Sequence, residues 1–455
     1  MANIIQNKYS SVFVLILIIA VGAATSIVSK LAFIIGVSFF AYGLLQTITK
    51  RNRNGEAHLY AAFIMGAEVY FRMSWSGLPW EFGKLVVFIL LSTGLIVERL
   101  KKPLPILYIL YLIMMLPAIF IPDWADLAVF KKEFMFTFFG QLVLVVSVFY
   151  FYSRTFTMDD LLKIGRWMLY GLMLMASLLY LKTPDYTTIH YGGGANFAAS
   201  GGFGPNQVAA MLGLGTTVIG YFLLIQKRIF RWFWLDIVVL FIFTFQGMIT
   251  FSRGGLFSAI IALVGAIVTV YLVSPKKAAK LLKINFIKLL VLFAILSGAY
   301  LVTNNITGGA LEKRYTNEDE YGNQIKEDYS TKRIDIILED IETFKENMFT
   351  GAGIGGGRAL REQTTGISAA HVEFSRMLAE HGILGLFSLM IMFLYPLYRF
   401  FKIDDVLTRF TLIIFTGYGL LTMSHNALRL AMPSFMYGFG FIIIVWQLKQ
   451  NRGQV

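Results

Sequence analysis

Apolar runs of about 17 to 25 residues recur along this chain, near 11–29, 30–48, 57–75, 82–98, 104–121, 134–152, 166–182, 207–226, 233–250, 254–274, 287–303, 374–398, 410–425 and 430–448. A helix of that length crosses a hydrocarbon core of about 30 Å, and in lipid a helix satisfies its own backbone hydrogen bonds. The pattern therefore predicts an all-α, polytopic helical membrane protein with about fourteen transmembrane helices. Composition agrees, since 57% hydrophobic residues and a mean hydropathy of +0.66 exceed what a water-soluble globule carries. The first run follows Lys8 and lacks a convincing cleavage site, so it reads as an uncleaved first helix. Between 304 and 373 the pattern lapses into one long hydrophilic loop. That loop divides the chain into 1–303 with the first eleven spans, 304–373, and 374–455 with the last three.

Basic residues then set an orientation. Lys50, Arg51 and Arg53 follow the second run, Arg99, Lys101 and Lys102 the fourth, and Arg154, Lys163 and Arg166 the sixth. Lys227, Arg228 and Arg231 follow the eighth, Lys276, Lys277 and Lys280 the tenth, and Arg399, Lys402 and Arg409 the twelfth. Lys and Arg concentrate in cytoplasmic loops, so these loops and both termini are expected inside and the long loop outside. The net charge of +13 is accounted for by this placement and does not point to nucleic acid. With no cysteine, disulfides, iron–sulfur clusters and thiolate zinc sites are excluded. Glu318, Asp319 and Glu320 lack an accompanying histidine or spaced carboxylate and read as a solvated run. Neither a metal nor a cofactor is expected.

The informative residues gather on the outward side. The stretch from Thr350 to Leu386 passes from a glycine-rich polar segment into an apolar helix, with His371 at the junction. With Ser368 as N-cap, His371 falls in the first turn of that helix. The positive end of a helix disfavours a second positive charge, so this imidazole is expected to stay neutral and able to accept a proton. Arg253 lies in the turn TFSRGG between two runs, where a charge without a partner is costly. Gly254 and Gly255 beside it permit close backbone approach, consistent with Arg253 pointing inward at an anion. In the long loop, 332–346 reads as an amphipathic helix with Ile334, Ile337, Leu338, Ile341 and Phe344 on one stripe and Arg333 at its start. The preceding 314–329 segment is strongly polar and reads as a surface turn or lid. Gly351, Gly353 and Gly356 formally match G-x-G-x-x-G, yet no strand precedes them, so a dinucleotide site is excluded. They let the loop turn tightly, either to bring backbone N–H groups and Arg358 near an anion or to make a hinge. His425 and Arg429 occupy the turn before the last run and either line an acceptor groove or belong to a plain polar turn.

Together these features resemble the O-antigen ligase and O-antigen polymerase superfamily. In the ligases a histidine is followed by Asn, Ser or Gln, nine residues, and Gly-x-x-Gly. Here His371 is followed by Val372, nine residues, and Gly382-Ile383-Leu384-Gly385, so the spacing fits and Val372 departs. Arg333 opening a loop helix, Gly351-Ala352-Gly353 about twenty residues on, the late outward loop and the arginine in SRGG are further similarities. Asn206 after Pro205 is another. The resemblance covers roughly 200–400.

The resemblance implies a GT-C-type glycosyltransferase in the bacterial cytoplasmic (inner) membrane, acting outside it. Its donor would be a glycan on undecaprenyl diphosphate and its acceptor a hydroxyl on a glycan, a lipid or a protein. A chain-length regulator protein is a further partner the resemblance allows. The residues suit this chemistry, because guanidinium groups bind diphosphate through paired hydrogen bonds. Arg253 and Arg333 would hold the leaving group without a metal, and His371 would take the acceptor proton as C1 is attacked with inversion. Arg358, Asn206, His425 and Arg429 would contact substrate. Polymerase, ligase and protein O-oligosaccharyltransferase share this donor and chemistry, and Val372 inclines the reading to polymerase. The rival from another class is a lipid-linked oligosaccharide flippase, against which stands the clustering of charged residues at one face and in one late loop.

Overall fold

In the computed structural model, residues 8–98, 103–122, 127–191, 194–283, 286–318, 333–364 and 372–445 are described. They form a helical bundle whose only strands, among those residues, are Thr155–Phe156 and Ile443–Ile444, paired in parallel. The all-α, multi-pass membrane architecture therefore stands. Seven of the described helices are long and apolar enough to cross a membrane, or eight counting one bent pair, and three more apolar helices are shorter.

Several runs that read as whole spans are broken. The run near 57–75 divides at Ala67 into Glu56–Gly66 and Glu68–Met73. The last run stops being helical after Ala431–Phe439, nine residues that rise about 14 Å. Gly438 lies so close to Ser147 that a Cβ would come within 2.5 Å of its carbonyl carbon, and Gly440 meets the Thr416 hydroxyl at 2.1 Å in the same way. The segment is buried by protein on all sides rather than facing lipid, which is why an apolar sequence there need not be a span.

Glycines bring the helices close. A Cβ on Gly171 would approach the Phe63 carbonyl oxygen to 2.3 Å, so Glu56–Gly66 and Met158–Lys182 pack backbone against backbone. Likewise a Cβ on Gly255 would fall 1.9 Å from the Ala209 carbonyl oxygen, and one on Gly213 would fall 2.3 Å from that of Gly255. The head of Arg253–Val273 is thereby seated against Pro205–Leu224.

Among its described residues the long loop carries three short helices, Ala310–Thr316, Arg333–Glu346 and Gly356–Thr364. The first is bent 113° from the apolar helix before it. The second is the expected amphipathic helix, with its inward face corrected. Ile336, Asp340 and Thr343 are buried, whereas Ile334 and Leu338 of the apolar stripe are about half exposed. The polar side turns inward because Asp340 takes a hydrogen bond from Ser375 Oγ at 2.6 Å and pairs with Arg361.

Candidate functional site

The helix Glu373–Lys402 reverses direction at Gly382, whose φ of 58° and ψ of −138° are those of a glycine. The rings of Phe374 and Phe393, nineteen residues apart in sequence, lie 5.1 Å from each other. A straight helix would separate them by about 28 Å. Residues 373–381 are therefore an arm folded back on the span that follows. Gly385 makes the contact possible, since a Cβ there would come 2.1 Å from the Met377 carbonyl oxygen. The spacing of Gly382 and Gly385 thus has a physical basis: one glycine makes the reversal and the other admits the returning backbone.

The glycine-rich segment closes the end of this arm. Gly351, Gly353 and Gly355 all have positive φ. Ala352 N–H donates to Ala379 O, Gly353 N–H to Glu380 O, Ile354 N–H to Ala118 O, and Gly355 N–H to Glu380 Oε1. The glycines thus make the expected tight turn, and these backbone donors are engaged by protein rather than turned toward an anion. Arg358 in the next helix is paired with Glu133 at 3.2 Å.

Val372 caps the arm and Glu373 opens it, both buried. Because Val372 is extended and the helix starts at Glu373, the expected cap at Ser368 with His371 in the first turn does not hold; His371 and Ser368 themselves lie outside the described residues.

Arg253, 61 residues before Arg314 and 80 before Arg333 in the chain, stands with both of them. Its Nη1 donates to the Arg314 carbonyl at 3.5 Å. Arg314 is pushed down to about 10, first by burial and then by repulsion from Arg253 and Arg333. Arg333 is lowered by burial and then by Arg253. Arg314 was read from sequence as part of a polar surface turn; it is buried on the helix Ala310–Thr316, with Nε 3.5 Å from the Phe251 carbonyl. Asn206 accepts a hydrogen bond from Ser252 Oγ at 2.8 Å, immediately before Arg253. The His425 ring packs on Gly254, where a Cβ would come 2.5 Å from Cδ2.

A cation whose pKa is lowered on folding costs stability wherever it stays charged, here at pH below about 10, and the cost fades as pH rises through that value. Arg314→Gln should therefore melt higher than the wild type at pH 7 without ligand, with the gap narrowing above pH 10. It should bind diphosphate more weakly, and equal binding would remove Arg314 from the site. Thermal melts with and without added diphosphate read both effects.

A second charged group lies beside the first. Arg72 donates to Glu68 at 2.7 Å, to Gln207 at 3.0 Å and to the Arg429 carbonyl at 2.9 Å. Lys84 pairs with Glu81 at 2.7 Å. Arg376 binds Glu373 and, at 2.7 Å, Glu380. Arg429 is pushed down to about 10 by burial, then by Arg376, Arg72 and Arg358, with Glu373 opposing. His425 proves to lie on the last turn of the helix Val406–Asn426, and the short turn 427–430 after it is pinned between these groups: Leu428 N–H donates to Glu373 at 3.2 Å and Ala431 N–H, at the start of the next helix, to Glu68 at 2.7 Å. Within it Ala427 has φ 49° and ψ −155°, a conformation natural to glycine that costs about 1–3 kcal/mol.

Sequence reading missed Arg314, Glu68, Arg72, Lys84, Glu373, Arg376 and Glu380. Apart from Arg314 they fall within or at the edge of apolar runs, where an ionisable residue is itself a signal. His190 is exposed, its carbonyl taking a hydrogen bond from Asn196.

Residues 237–390, about a third of the chain, match the family model described as O-antigen ligase. No curated protein and no solved structure matches the chain. The matched stretch holds Arg253, Arg314, Arg333, the glycine-rich segment and the arm with its two glycines; Arg72, Asn206, His425 and Arg429 lie beyond it. That stretch of this multi-pass helical membrane protein is similar to the O-antigen ligase family, which supports the resemblance to the O-antigen ligase and polymerase superfamily.

Proposed function

We propose that the chain transfers a glycan from undecaprenyl diphosphate to an acceptor hydroxyl on the outer side of the bacterial cytoplasmic membrane, as a polysaccharide polymerase. The observation that carries this reading is the convergence of Arg253, Arg314 and Arg333, three cations close enough to repel one another. A diphosphate relieves that repulsion and takes paired hydrogen bonds from planar guanidiniums.

In the reaction the acceptor oxygen forms a bond to C1 as the bond from C1 to the phosphate oxygen breaks, inverting the anomeric centre. The electron pair leaves on undecaprenyl diphosphate, where the arginines stabilise it. The acceptor proton passes to His371, which precedes the buried start of the arm. In this reading both termini are cytoplasmic and the arginine cluster lies in the outer leaflet, consistent with the basic loops.

Two measurements test the proposal. His371→Ala should remove transfer, by about 10²–10⁴-fold for loss of a general base, while the protein still inserts; full activity would reject the base. Purified protein given lipid-linked repeat units alone should produce a ladder of longer glycans. Product that appears only after adding a lipid or protein acceptor would identify a ligase or protein O-oligosaccharyltransferase instead.

A further inference from the structure

We propose that His425 and Asn426 form a subsite that holds a pyranose through a pair of vicinal hydroxyls beside the arginine cluster. The proposal rests on the glycosyltransferase reading above and adds which part of the glycan this turn recognises.

Both side chains are buried, His425 at 3% exposure and Asn426 at 0%. His425 Nδ1 lies 3.0 Å from the Leu421 carbonyl oxygen. A carbonyl only accepts, so Nδ1 carries the hydrogen and in the neutral ring Nε2 presents its lone pair. That nitrogen has no hydrogen-bond partner among the described residues, and neither do the amide oxygen and nitrogen of Asn426. Buried polar atoms are nearly always satisfied, and three at adjacent residues mark a place that something else completes.

The place is tied to the reacting centre. Nε2 sits against Gly254, where a Cβ would approach it to 2.9 Å, one residue from Arg253. The turn that presents the pair holds Ala427 in its glycine-like conformation by the bonds of Leu428 to Glu373 and Ala431 to Glu68. Strain maintained by such ties is characteristic of a ligand clamp.

The chemistry that fits is set by what remains open. A carboxamide offers one acceptor and one donor side by side, which matches two neighbouring hydroxyls, one donating and one accepting. Nε2 accepts a hydrogen from the same group of hydroxyls. A sugar meets all three demands at once. Water is the competing occupant, since buried waters commonly complete such sites.

The experiment uses the purified full chain in lipid nanodiscs with two probes. One is the undecaprenyl-diphosphate-linked glycan extracted from the native host, and the other is undecaprenyl diphosphate without sugar. Asn426→Leu keeps the shape and removes both polar atoms. It should weaken binding of the glycan-bearing lipid at least about tenfold, leave binding of the bare lipid unchanged, and melt at or above the wild-type temperature, because no satisfied bond is lost. Periodate cleaves vicinal diols, so donor treated with periodate and borohydride should bind the wild type more weakly than intact donor and bind N426L equally with it. If N426L fails to accumulate, His425→Phe keeps a ring and removes Nε2, and the same comparison applies.

A markedly lower melting temperature for N426L, equal affinity of wild type and N426L for intact donor, or an equal loss for bare lipid would each overturn the subsite in favour of water or a purely structural amide. Failure of the bare lipid to bind the wild type is a separate result and overturns the diphosphate reading instead.

Discussion

Arg253→Ala should lower glycan transfer by about 10²–10³-fold, the usual consequence of removing one preorganised donor from a developing negative charge. Arg253→Lys should recover only part of that loss, because an ammonium supplies a point charge where a guanidinium supplies a planar fork. Neither replacement should unfold the protein. Arg253 stands at the head of its helix with its side chain half-buried, and the seat of that helix is the Gly255–Gly213 backbone contact rather than the arginine. Removing one of three mutually repelling cations also relieves strain, so R253A should melt no lower than the wild type without ligand. Activity and stability moving in opposite directions is the signature of a charge retained for function. The assay is transfer from purified lipid-linked glycan, read beside thermal melts; transfer at the wild-type rate would show that the diphosphate is held elsewhere.

The membrane architecture was legible because hydropathy integrates over whole helices, and long apolar runs leave few other folds open. Arg253 stood out as a lone charge between two apolar runs and Arg333 as the start of an amphipathic helix, and the structure brings the two together, their role remaining a proposal. What hydropathy does not carry is direction. The run 374–398 is apolar on average even though Ser375, Arg376, Glu380 and His381 lie before Gly382, so it reads as one span although the chain doubles back there. Gly382 and Gly385 were visible as a spacing, but only the geometry shows that one turns the chain and the other receives it. Averaging over a run hid Glu68, Arg72 and Arg376, each surrounded by enough apolar neighbours to vanish from the mean. Arg314 was read with the polar residues after it, whereas its burial depends on Phe251 and Arg253, more than 60 residues earlier. The role of His371 stands as a proposal, since that residue lies outside the described part of the chain.

Arg376→Leu should destabilise the protein by about 3–5 kcal/mol, the range for stripping one partner from a buried ion pair. Arg376 is 5% exposed and lies between Glu373 and Glu380, which are 0% and 1% exposed. Without the guanidinium, two buried carboxylates remain close together without their ion-pair partner, Glu380 keeping the Gly355 N–H and Glu373 the more distant Arg429 and its hydrogen bonds. The arm also loses its bond from Arg376 to the Thr137 carbonyl at 3.1 Å, while Glu373 keeps Gln141 at 2.5 Å and the Leu428 N–H. Against a total stability of about 5–15 kcal/mol the expected loss is large, and it falls on the elements that hold the start of the arm. Transfer should therefore disappear together with the fold-back, unlike in R253A, where the fold survives. Adding Glu373→Gln and Glu380→Gln to R376L removes both stranded charges and should restore most of the melting temperature without restoring transfer. A single R376L protein melting like the wild type would mean that the close glycine contacts, not the ion network, keep the arm folded back.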